Sequence, residues 1–182
     1  MKSNQRGNAG RILVFFGVLV LGFLFFSFFI GRKPPVKPGE LGVVKTLSGD
    51  YKVLKEGERP FIIPLLQSYG TLSSGTEVLS FVGEEGFLLP GDGKERLESQ
   101  ITYSVEDPQK VAQKYGLKDT AGKIRNEIKM KLNDILAKNL KEKPDLSKPS
   151  VRIPLIAEVH LSINEAMKES GINILKYDIR FE

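Results

Sequence analysis

The sequence predicts an α+β fold, in which an antiparallel sheet packs with about three helices and one membrane-crossing helix precedes the whole. Three observations carry this expectation. Ile12 to Ile30 is a run of 19 uncharged residues closed by Arg11 and Arg32. Residues 41–105 hold short apolar runs punctuated by Gly and Pro, the mark of strands and turns. Beyond Asp107 the apolar residues recur at helical spacing until a last alternating segment.

The first helix follows from length. At about 1.5 Å per residue the uncharged run reaches roughly 28 Å, close to a hydrocarbon core of about 30 Å. A cleaved signal peptide would carry about 7 to 15 apolar residues and a small-residue cleavage site, and Ser27-Phe28-Phe29-Ile30-Gly31-Arg32-Lys33 has no Ala-x-Ala pattern. The absence of cysteine excludes a lipoprotein anchor, and Met1-Lys2 lacks the glycine that myristoylation uses. The expected organisation is therefore a tail over 1–11, a transmembrane helix over 12–30, a linker over 31–40 and one domain over 41–182. Lys2, Arg6 and Arg11 before the helix nearly balance Arg32, Lys33, Lys37 and Lys45 after it. We read the short tail as inside and the domain as extracytoplasmic.

Charge excludes one class of partner. The chain has a net charge of +5, but the first thirty residues hold three of its 27 Lys and Arg and no acid, so the rest carries 24 basic against 22 acidic side chains. With no basic stripe, nucleic acid is not an expected partner. Arg32, Lys33, Lys37 and Lys45 read as flanks of the membrane segment, in reach of anionic headgroups.

Pro34-Pro35-Val36-Lys37-Pro38-Gly39 reads as an extended, semi-rigid linker. Strands are expected at Leu41–Leu47, Tyr51–Leu54, Phe61–Leu66 and Glu77–Val82, with Asp92-Gly93 as a hairpin turn. After it Leu97, Ser99, Ile101, Tyr103 and Val105 alternate with polar residues, which makes one strand with a clear inner face. Asp107-Pro108 starts a helix, Asp as N-cap and Pro at the first helical position, and Gly116 ends it. A second helix spans about Thr120 to Lys141, on Ile124, Ile128, Leu132, Ile135, Leu136 and Leu140. A third fits Pro154 to Ser170, with Gly171 as its C-terminal stop. Leu175, Tyr177, Ile179 and Phe181 then alternate as a closing strand.

This order of parts resembles the SPFH domain, also called band 7 or prohibitin-homology, of the stomatin and prohibitin superfamily, over about Leu41 to Glu182. Its carriers are Gly57-Glu58-Arg59-Pro60-Phe61-Ile62-Ile63-Pro64, Ile101-Thr102-Tyr103-Ser104-Val105-Glu106-Asp107-Pro108, and Gly171-Ile172-Asn173-Ile174-Leu175. The resemblance implies that Phe61, Ile62, Ile63, Leu65 and Leu66 contact the membrane, whereas their apolarity alone reads as a core strand. Relatives usually continue into a long coiled coil; this chain stops at Glu182, so a large ring is not expected. Ser27 and Gly31 have the small-xxx-small spacing of a helix-pairing signal.

Catalytic chemistry finds no motif. One histidine and no cysteine leave only carboxylates for a metal, and neither catalytic, cofactor-binding nor metal-binding residues are expected. His160 shares a helical face with Ile156 and Ile163 and reads as a packing residue, with pH sensing and a Ser-His-Asp role as the alternatives. Gly86 to Gly91 has two P-loop glycines, but Asp92-Gly93 stands where Lys and Ser or Thr would hold phosphate and magnesium. Glu84, Glu85 and Asp92 read as solvated turn residues, and the cations of Lys123–Lys143 as the wet side of a helix.

The expected function is that of a single-pass, non-catalytic scaffold or regulator of membrane proteins or membrane organisation. Its partners would be membrane lipids, membrane proteins, a membrane protease among them, and copies of itself. An extracytoplasmic adaptor in an envelope complex and a membrane-anchored hydrolase are the alternative classes.

Overall fold

The computed structural model describes residues 5–89, 95–140 and 145–180, and of residues 5–9, 11, 29 and 180 the backbone only. Helix α1 (Gln5–Gly31) comes first, and its described apolar side chains from Ile12 to Ile30 stand exposed. Among the described residues no helix is long and apolar enough to cross a membrane. The transmembrane helix expected over residues 12–30 is therefore not found among the described residues.

The domain carries two antiparallel sheets where one was expected. Strands β1 (Glu40–Lys45), β2 (Tyr51–Leu54) and β3 (Ser68–Ser73) form the first, in the order β2-β1-β3. Strand β3 was not foreseen, because only Tyr69 and Leu72 among its residues are large and apolar. In the second sheet, β4 (Thr76–Phe81) and β7 (Ile172–Arg180) flank the ten-residue β6 (Arg96–Val105), and β5 (Phe87–Leu88) pairs with the start of β6. A single 3-10 turn, Gly83–Glu85, links β4 to β5. The hairpin turn Asp92-Gly93 lies outside the described residues.

Along β6 the alternation behaves as read: Leu97, Ser99, Ile101 and Tyr103 are buried while the intervening residues reach the surface. Three helices cover this face: α2 (Pro108–Tyr115), α3 (Thr120–Asn139) and α4 (Pro149–Lys168). Asp107 caps α2 by accepting the amides of Gln109 and Lys110, both at 3.1 Å. Ile124, Ile128, Leu132 and Leu136 of α3 join Leu155, Val159, Ile163 and Met167 of α4 in the main core. Helix α4 begins at Pro149, earlier than expected, and takes Pro154 within its second turn, where only one intrahelical bond is forfeited.

Two junctions lock the helices to the sheet. Gly171 accepts the amides of Glu106 and Asp107 at 2.9 and 3.0 Å, tying the end of β6 to the turn before β7. Lys114 donates to Glu127 and to buried Ser170, each at 2.6 Å, joining α2, α3 and the end of α4.

The closing strand departs from simple alternation. Tyr103 faces Ile174 and Thr102 faces Lys176, so Leu175 is an extra residue in the ladder. Such a bulge inverts which parity points inward. Ile172, Ile174, Tyr177 and Ile179 are buried, whereas Leu175 is 44% exposed, correcting its expected inward position. Phe181 lies outside the described residues.

Candidate membrane-facing site

The segment expected to be an extended, semi-rigid linker is bonded into the domain. Lys33 donates its amide to Pro60 O at 3.1 Å, Val36 to Glu58 O at 3.0 Å, and Gly57 returns a bond to Val36 O at 2.9 Å. Val36 is buried with Val44, Leu54 and Ile62 in a second, smaller core, against which Tyr69 packs. A lone apolar side chain among prolines was the only hint of this docking in the sequence.

The docking reaches the helix itself. Ile62 donates its amide to Gly31 O at 2.8 Å, and Arg32 bridges to Phe61. A Cβ on Gly31 would collide with the Ile62 carbonyl oxygen and meet the Phe61 ring. Ser27, one turn earlier, is buried. The Ser27-x-x-x-Gly31 spacing, read as a helix-pairing signal, thus lies where α1 meets its own domain. The Arg32 guanidinium lies 4.4 Å over the Phe28 ring, a favourable cation-π position.

Residues 61–66 are not a strand. Pro60 and Pro64 bracket the run and remove two of the donors a ladder needs, and the chain instead forms a closed turn. Leu66 and Gln67 donate to Ile63 O at 3.2 and 3.0 Å, and the Gln67 side chain accepts the Ile63 amide at 2.9 Å. Of the five residues expected at the membrane, Ile62 is buried at 4% exposure and Ile63 is half-buried. Phe61, Leu65 and Leu66 are exposed, Leu65 at 96%. Leu65 also has φ 67°, a left-handed conformation that costs a side chain with a Cβ about 1–2 kcal/mol. An ordered turn that holds an apolar tip outward, at a backbone cost, beside the end of an apolar helix is suited to an apolar environment.

The other singled-out residues take structural places. His160 is half-buried, with Nε2 3.0 Å from Ile174 O, and Asn164 accepts the Ile174 amide at 2.9 Å. One turn of α4 thereby holds both backbone groups of the residue beside the bulge. Glu85 pairs with Arg125, whose guanidinium also donates to Ser80 O at 3.1 Å and lies 4.9 Å over the Phe81 ring. Glu84 is exposed, and Asp92 lies outside the described residues. Among the described residues no group of three or more His, Asp and Glu side chains could hold a metal ion.

Residues 35–181 match the SPFH domain / Band 7 family. No curated protein matches the chain.

Proposed function

Because the chain belongs to the SPFH domain / Band 7 family, whose members are in general membrane-associated, non-catalytic scaffolds, we propose that it is a single-pass membrane scaffold. In this reading α1 crosses the bilayer, the short tail lies inside, and the domain sits extracytoplasmically against the surface. Support comes from the 19 uncharged residues Ile12 to Ile30, within a helical backbone over Gln5–Gly31, together with the exposed Phe61, Leu65 and Leu66 at its base. The observation that carries the proposal is the bonding of α1's last turn to the Phe61–Ile62 segment. It makes helix and domain one body, so a bilayer around the helix meets the 61–66 turn.

Such a protein acts by association. Confinement to two dimensions raises its effective concentration toward lipids, membrane proteins and further copies of itself, so modest contacts suffice. The test is to extract the full chain in mild detergent and measure its mass by light scattering and its companions by mass spectrometry. A discrete homo-oligomer, or one that carries a membrane protein, supports the scaffold. A monomer with one stoichiometric envelope partner would replace it with an adaptor.

A further inference from the structure

Where the two sheets meet, β3, the β4–β6 pair and the α2–α3 turn enclose a cleft of about 500 Å³, within the roughly 300–1,000 Å³ of small-ligand sites. Leu72, Leu117 and Ile124 give it an apolar lining. Gly70 permits the close approach of its walls, since a Cβ there would lie 2.6 Å from Leu117 O.

Its charges are of one sign. Glu77 and Asp119 line the cleft, and no Lys or Arg does. Neither carboxylate has an ion pair among the described residues, and Asp119, although at the N-terminus of α3, makes no side-chain cap bond there. Tyr103 stands directly opposite Glu77 in the β4–β6 register and is only 4% exposed. Its hydroxyl has no hydrogen-bond partner among the described residues and is not among the fully buried unpartnered atoms, so it is open to a ligand in the cleft. Burial and then Glu77 push its pKa up, so it stays a neutral phenol that both donates and accepts.

We propose that this cleft binds one cationic nitrogen group, an ammonium or guanidinium, carried on a short apolar stem. Glu77, Asp119 and the Tyr103 hydroxyl accept its N–H bonds, and the apolar lining takes the stem. Such a group belongs to a free amine or to a lysine or arginine side chain of a partner protein. The site is independent of the membrane reading.

The test titrates the full chain in mild detergent with n-butylguanidinium and with the capped tripeptide Ala-Arg-Ala, using the citrulline tripeptide as the uncharged control. Saturable one-to-one binding of the cationic probes alone is expected. Glu77→Gln and Asp119→Asn should each weaken it about tenfold, the scale of one charge-assisted hydrogen bond. Both positions are exposed, and Asn suits the left-handed backbone of Asp119 at φ 52°, so thermal melting should show both variants folded. A tripeptide that binds about tenfold tighter than butylguanidinium identifies a partner side chain, and equal affinities identify a free small-molecule cation. Binding of the citrulline control, unchanged affinity in both carboxamide variants, absence of saturation, or equal competition by calcium would overturn the proposal.

Discussion

The amide of Ile62 donates to the carbonyl oxygen of Gly31 at 2.8 Å, joining the last turn of α1 to the loop after Pro60. This bond closes a seam that also contains the Arg32–Phe61 bridge and the Lys33–Pro60 bond. Because Gly31 has no side chain, the Phe61–Ile62 segment lies directly on the helix.

Gly31→Val should open that seam. Overpacking at such a contact costs about 1–3 kcal/mol, and the main core, built chiefly from β4–β7 and α2–α4 with Val43 of β1 and Leu72 of β3, contains none of the seam's residues. We expect a lower first thermal transition in detergent and faster proteolysis within residues 31–40, with the remaining domain resistant. Unchanged proteolysis would show that the seam contributes nothing.

His160 and Asn164 should matter for stability rather than chemistry. Ile174 is buried, so His160→Ala leaves its carbonyl without this donor and Asn164→Ala leaves its amide without this acceptor, each at about 1–3 kcal/mol. As both serve one residue, the double variant should deviate from additivity. Urea titration of the solubilised chain measures this, and wild-type stability in both single variants would refute it.

Much of the fold was legible because it is local. The alternation of Leu97 to Tyr103 needs only a buried face, and Asp107-Pro108 caps a helix by its own chemistry. The Leu175 bulge was not legible, because the groups that hold Ile174 come from α4, ten and fourteen residues away. Nor was the docking of Val36 against Ile62, which depends on contacts between distant segments. At the candidate site, five apolar residues could be named, but a run with prolines at 60 and 64 does not say which of them point outward.

Alkaline pH should destabilise the domain through Tyr115. Burial pushes this hydroxyl from its ordinary 10.0 up to about 12. The unfolded chain therefore loses the proton first, and stability present below pH 10 falls as pH rises toward 12. Tyr177 is raised in the same direction by burial and adds to the loss. Denaturation from pH 9 to 12 should show this decline, and Tyr115→Phe should lessen its slope. An equal slope in the variant would remove Tyr115 from the account.

The absence of cysteine allows the central claim to be tested with single labels. We would attach an environment-sensitive fluorophore to Val20→Cys and, separately, to Leu65→Cys in the full chain reconstituted into vesicles, and measure quenching by lipids that carry quenchers at different depths. An anchored helix with its domain held on the surface predicts deep quenching at position 20 and headgroup-level quenching at position 65. Water-like emission from both positions, quenched only by a soluble agent, would contradict it.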